Sequence, residues 1–321
     1  MKVVGKRESH RGRRRRLRSL ALVPTLITLG NLLCGFAAIH FCMRAMYGFG
    51  AGVLPELTGA LGHPMIERML PSFLSVGASL VFIGMVLDCF DGLLARVTRS
   101  TTNFGGQLDS LADVVTFGVA PAALMVAFMT KELAGDSIVP SPISTHFLGR
   151  ATWMAAALYV AMAAVRLARF NVEHADVNAD HRTFRGMPSP AAAAILVALI
   201  LFQDQFRFEE DGLMTWIRHA LVFSTPILTA TVAILMVSRI PYRRIHRVYL
   251  AGRQPFWQIL VFMLIVVVFV SSPSITLLAL TILYGFSGPL HLVIRRLRGP
   301  GRHETTGTSA TDHKPRRKSG A

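Results

Sequence analysis

Residues 88–113 read DCFDGLLARVTRSTTNFGGQLDSLAD, between the apolar runs VFIGMVL (81–87) and VVTFGVAPAALMVAFM (114–129). Four carboxylates stand in this stretch: Asp88, Asp91, Asp109 and Asp113. On a helix, residues three or four apart share a face, so Asp88 pairs with Asp91 and Asp109 with Asp113. Asp88 closes one apolar run and Asp109 opens the next. The linker 89–108 allows the two helices to lie as antiparallel neighbours, which brings all four acids to one depth at one edge of a bilayer.

The rest of the chain supports a lipid setting. Of 321 residues, 52% are hydrophobic and 16% charged, and the mean hydropathy is +0.47; a soluble chain carries about a quarter charged residues. The apolar runs mark eight candidate spans at 21–43, 72–88, 109–130, 151–171, 187–203, 220–238, 256–271 and 274–294. Several fall short of the roughly 20 residues a spanning helix prefers, so the count lies between six and eight. The predicted fold class is an all-α integral membrane protein.

The net charge of +16 has no aromatic stacking pattern or binding module beside it, which argues against nucleic acid. It sorts instead by side of the membrane. With the N-terminus inside, 28 of the 34 basic residues fall in inner segments and 6 in outer loops, as the positive-inside rule requires. Both termini are then expected in the cytoplasm. The basic arm 1–20 reads as a topology signal with attraction for anionic lipid, and the tail 295–321 as disordered. The run 21–43 contains Pro24 and Asn31 and is too long for a signal core, so it reads as a retained span. Cys34, Cys42 and Cys89 have no metal-type spacing or disulfide framework. His174 and His181 read as solvated.

Four like charges at a membrane boundary repel one another and lose hydration, and intramembrane acids are a functional hypothesis by default. Arg96 and Arg99 cannot neutralise four carboxylates; divalent cations can. All-oxygen ligands favour Mg²⁺ or Mn²⁺, and Mg²⁺ usually takes a few carboxylates plus substrate phosphate oxygens. Two ions held here would clamp a pyrophosphate. Gly92, Ala95, Gly105 and Gly106 suit close approach of a flat base or phosphate to the backbone; helix packing is the alternative. Two other functions compete. A divalent metal transporter would need acids near the midplane and polar residues along several spans. A membrane scaffold would leave the aspartates unexplained.

The stretch resembles the signature of the CDP-alcohol phosphotransferases: D, two residues, DG, two residues, AR, eight residues, G, three residues, D, three residues, D. Asp88, Asp91, Gly92, Ala95, Arg96, Gly105, Asp109 and Asp113 match every fixed position and every gap. The resemblance implies that Asp88, Asp91 and Asp109 bind metal, with Asp113 as ligand and general base. It also implies that Gly92, Ala95 and Gly105, with Arg96 beside them, lie close to the CDP moiety. It further implies a six-helix catalytic core, 21–238, acting as a homodimer. The basic loop 239–255 and two additional spans, 256–294, follow that core.

Flanking stretches resemble the phosphatidylserine synthase branch: LVPTLITLGNLLCGF in the first span, QLDSLADVVTFGVAPA in the third, and RLARFN with FRGMPSPAAA around the fourth and fifth. This implies transfer of a phosphatidyl group from CDP-diacylglycerol to L-serine, with inositol phosphate, glycerol phosphate or choline as alternative acceptors. Where the phosphatidylglycerophosphate branch reads DPLADK, this chain has DSLADV. Arg166 and Arg169, at the inner end of the fourth span, are candidates for the serine carboxylate, a geometry that suits guanidinium; a positive-inside anchor is the other explanation. Pro188 and Pro190 are expected to break the chain before the fifth span. Asn31 either contacts nucleotide or bonds a neighbouring helix.

Overall fold

A computed structural model describes residues 5–50, 70–98, 103–134, 139–175, 186–205, 212–240, 242 and 256–297. The side chains of Ala95 and Arg96, most of the loop 239–255, and the tail beyond Leu297 lie outside the described residues. Among the described residues the secondary structure is helical. The helices are α1 (Gly5–Gly50), α2 (Phe73–Thr98), α3 (Asn103–Asp113), a π-helical turn (Val114–Val119), α4 (Ala120–Glu132), α5 (Phe147–Ala175), α6 (Ser189–Gln205), α7 (Gly212–Val237), α8 (Phe256–Ser271) and α9 (Pro273–Leu297). α3, the π turn and α4 follow without a break, so the eight expected apolar runs appear as eight rods. Six are long and apolar enough to cross a membrane; α6, with 17 residues, and α8, with 16, are shorter. The chain is a multi-pass, all-α membrane protein.

The helices outrun the apolar segments. α2 continues to Thr98 and α3 begins at Asn103, so the expected linker 89–108 shrinks to residues 99–102. The sequence LLARVT contains nothing that stops a helix, and helix formation continues wherever the backbone's own hydrogen bonds are available. The acids consequently sit inside helices rather than at their tips.

The bundle closes by near-contact of backbones. A Cβ at Gly77 would lie 2.8 Å from Leu124 and 3.2 Å from the Ala38 carbonyl. One at Gly35 would fall 2.8 Å from the Thr116 backbone, and one at Gly84 2.7 Å from the Thr116 methyl. In lipid, where apolar burial alone does not distinguish helix from solvent, such small-residue seams are what let helices associate. Around them lie Ala38, Cys42, Leu74, Ala78, Val81, Phe117, Leu124 and Tyr159, all buried. α6 is buried on nearly every side, from Ala192 to Ile200, as expected of a short helix that is apolar all round. It touches α2, α4, α7 and α9.

Candidate active site

Asp88 and Asp91 stand one turn apart on α2, and Asp109 and Asp113 one turn apart on α3. The structure gathers three of the four. Carboxylate oxygens of Asp88, Asp109 and Asp113 lie within 4.8 Å of one another. Asp91 is within electrostatic reach of Asp88 and Asp109, but its carboxylate is buried against α1, where Thr28 Oγ1 hydrogen-bonds it. That hydroxyl also reaches the Pro24 carbonyl at 3.0 Å; having one proton, it serves one acceptor at a time.

At this spacing three carboxylates repel strongly unless a cation lies among them. The donors are all oxygen and come from two rigid helices. This is a set suited to a hard divalent ion such as Mg²⁺ or Mn²⁺, which completes its shell with water and phosphate oxygens.

Neighbouring helices fix the cluster's orientation. Asn31, fully buried on α1, donates from Nδ2 to Asp113 Oδ1 at 3.4 Å. Its Oδ1 has no hydrogen-bond partner among the described residues. A Cβ at Gly84 would sit 2.8 Å from that oxygen, so only glycine there leaves Asn31 its place. The Asn31 carbonyl in turn accepts from Thr116 Oγ1 at 2.9 Å. Thr116 belongs to the π turn that begins directly after Asp113. Widened turns of this kind recur at functional sites; here the Phe117 carbonyl, which faces Pro121 four residues on and so meets no N–H there, accepts from the Tyr159 hydroxyl at 2.9 Å. The turn thereby links the acid-bearing helix to α1 and α5 together.

From α5, Arg166 lies within electrostatic reach of Asp88 and Asp113, while its Nη1 donates to Ser189 Oγ at 2.6 Å. Arg169 is half-buried one turn further along. Asn171 Nδ2 donates to Ser110 Oγ at 2.9 Å, so the RLARFN segment is tied to α3 beside the aspartates. Gly92 and Gly106 meet no described atom within 4 Å of an added Cβ. Among the described residues, then, packing does not explain either glycine. Gly105 is half-buried beside Gly106.

Three contributors were not singled out from the sequence: Thr28, Ser189 and Thr116. Thr28 had a legible signal, since it stands one turn before Asn31 on the same face of α1. Ser189 lies in the quoted FRGMPSPAAA, between the two prolines. For the π turn the sequence offers Pro121, which interrupts the hydrogen-bond ladder at Phe117.

The sequence model of the CDP-alcohol phosphatidyltransferases matches residues 21–226. The chain belongs to the CDP-alcohol phosphatidyltransferase family, and it is an enzyme. Among its relatives is a protein of Helicobacter pylori, 31% identical over 216 residues, which cover 67% of this chain and 80% of the relative. Another, from Mycobacterium leprae, is 30% identical over 241 residues, 74% of this chain and 63% of the relative. A third, from Bacillus subtilis, is 32% identical over 177 residues, 55% of this chain and 74% of the relative. All three are named CDP-diacylglycerol–serine O-phosphatidyltransferase. The segment matched to the family ends within α7, so α8 and α9 lie beyond it.

Proposed function

We propose that this enzyme transfers the phosphatidyl group of CDP-diacylglycerol to L-serine, forming phosphatidylserine and releasing CMP. The observation that carries this reading is the position of Arg166 next to the Asp88–Asp109–Asp113 cluster. A guanidinium at a phosphoryl-transfer site gives an acceptor carboxylate a two-pronged partner, and the names of the three relatives point to the same acceptor.

Asp88, Asp91, Asp109 and Asp113 would hold the divalent ions, Mg²⁺ or Mn²⁺. When bound, these supply positive charge against the pyrophosphate and make CMP a better leaving group. The chain's own groups do the rest. Asp113, held at one oxygen by Asn31, accepts the proton of the serine hydroxyl, which is too weak a nucleophile unaided. The hydroxyl oxygen bonds to the lipid-linked phosphorus. The bond from that phosphorus to the CMP oxygen breaks, and CMP leaves with the electron pair. Gly92 and Gly105 would lie along the approach of the CDP moiety, and the family resemblance adds Ala95 and Arg96, whose side chains are outside the described residues. Arg166, with Arg169 one turn further along α5, orients serine through its carboxylate. Asn31 serves Asp113 in this scheme rather than the nucleotide.

We further infer the orientation: an even number of spans, with most basic residues on one side, puts both termini in the cytoplasm of a bacterial cell and the acidic end at the inner face of the inner membrane. A homodimer remains the expected assembly. Acids gathered at one end of the bundle, rather than midway along it, favour an enzyme over a metal transporter.

The test is a panel of labelled alcohols supplied to the purified protein with CDP-diacylglycerol and Mg²⁺ or Mn²⁺. Serine should be consumed and CMP released in equal amounts. Ethanolamine, which is serine without its carboxylate, should react poorly. Equal use of ethanolamine, choline, inositol phosphate or glycerol phosphate would remove serine as the acceptor and leave the phosphotransferase chemistry standing.

A further inference from the structure

The last helix lies beyond the segment matched to the family, yet it is seated against the turn that holds Arg166. Ser189, the first residue of α6, is fully buried and takes the Arg166 hydrogen bond. The turn before it is strapped to the end of α7. Gly186 has φ +91° and donates to the Ile240 carbonyl at 2.9 Å, and Met187 donates to the Leu235 carbonyl at 3.1 Å. A side chain at Gly186 would be strained by that φ and would also run into the Met236 and Ser238 carbonyls.

The opposite side of the turn is covered by α9. A Cβ at Gly285 would lie 2.7 Å from Ile195 Cδ1 and 3.9 Å from Met187 Sδ. One at Gly288 would lie 2.6 Å from the Tyr242 ring. Pro289 interrupts the hydrogen-bond ladder of α9: it has no N–H to give to the carbonyl four residues back, which is that of Gly285. The Tyr242 hydroxyl supplies the missing bond, donating to the Gly285 carbonyl at 3.0 Å. The Tyr242 ring lies 5.9 Å from that of Tyr284, and Tyr284 is within electrostatic reach of Arg166.

We propose that Tyr242 and the Gly285–Gly288 face of α9 are positioning elements for Arg166, holding the 186–189 turn so that Ser189 keeps the guanidinium available to the acceptor. The physical need is plain. An arginine beside clustered carboxylates is drawn onto them by Coulomb attraction, and an arginine collapsed in that way cannot present its fork to an incoming carboxylate. A buried, fixed Ser189 opposes the collapse. This inference rests on the reading that Arg166 receives the acceptor carboxylate.

The experiment uses the full chain and separates the two ideas. Serine and CDP-diacylglycerol are varied independently for Tyr242→Phe, Gly288→Ala and Arg166→Lys, and for each of the first two combined with Arg166→Lys. Tyr242→Phe removes only the hydroxyl; Gly288→Ala drives a methyl into the Tyr242 ring. Each should raise the KM for serine about three- to tenfold, the size of one hydrogen bond, and change kcat and the KM for CDP-diacylglycerol less than about twofold. In the Arg166→Lys background neither should add to the effect, because coupled sites are not additive. Full additivity there, or an unchanged serine KM in both variants while Arg166→Lys raises it, overturns the positioning role and leaves the acceptor reading intact. An unchanged serine KM in Arg166→Lys overturns the acceptor reading itself. If Gly288→Ala does not fold, Tyr242→Phe, which adds no volume, decides.

Discussion

The bundle has two polar ends that treat their carboxylates in opposite ways. At one end, Asp204 on α6 is buried against Lys131 at 2.8 Å, with Ser72 donating to its second oxygen at 2.5 Å. Close by in sequence, Glu132 accepts from Arg218 at 2.9 Å. Each of these two acids has its own cation, and the pairs tie α4 to α6 and α4 to α7. At the other end, three carboxylates lie within 4.8 Å of one another, and the nearby Arg166 gives a hydrogen bond to Ser189. Charges that only hold helices together are neutralised within the protein. Carboxylates clustered with one another, on rigid helices and beside glycines that no described atom fills, are arranged for a partner from outside. This contrast separates structure from chemistry in a chain whose membrane-spanning segments are otherwise apolar nearly throughout.

The widest consequence is a split between activity and stability. Asp113→Asn should lower CMP release by about 10²–10⁴-fold, the usual worth of a positioned acid or base. Asp88→Asn and Asp109→Asn should be comparably severe. Thermal unfolding of these variants should match or exceed wild type, since each removes a mutually repelling charge. The opposite end should invert the pattern. Lys131→Met leaves Asp204 buried without its cation and should cost about 3–5 kcal/mol of stability, while CMP release per folded molecule stays near wild type. Adding Asp204→Leu should restore most of the loss, because a buried ion pair replaced by apolar groups is often neutral. Denaturation monitored by tryptophan fluorescence checks both.

A smaller effect sharpens the contrast at the acidic end. Arg166→Lys keeps the charge and loses the two-pronged geometry, so the KM for serine should rise about tenfold or more, the equivalent of roughly 1.5–3 kcal/mol. Arg169→Lys should act in the same direction and less strongly. Asn31→Ala, which frees Asp113 Oδ1 from its donor, should reduce kcat several-fold, about 0.5–1.5 kcal/mol, with both KM values little changed.

Much of this was legible before any coordinates. The apolar runs mark all eight helical rods, and the spacing of Asp88, Asp91, Asp109 and Asp113 announces two acid-bearing helix faces. What the residues withhold is rotation and register. In water a helix shows its buried face as an apolar stripe; in lipid the outward face is apolar too, so the stripe disappears. For that reason the choice between Arg166 and Arg169, the burial of Asp91 against Thr28 and the aim of Asn31 at Asp113 depend on packing that the sequence does not spell out. The π turn after Asp113 seats its Thr116 against Gly35 of α1 and Gly84 of α2, a fit between separate helices that the sequence does not display. The Lys131–Asp204 pair joins residues far apart in the chain, each in a run that otherwise reads as a span's end.

The most direct measurement is serine-dependent CMP release by wild type, Asp113→Asn and the Lys131→Met/Asp204→Leu pair, at matched folded protein and saturating Mg²⁺ or Mn²⁺. The contrast between the two ends predicts activity in wild type and in the double variant, and almost none in Asp113→Asn. Wild-type rates in Asp113→Asn would contradict it.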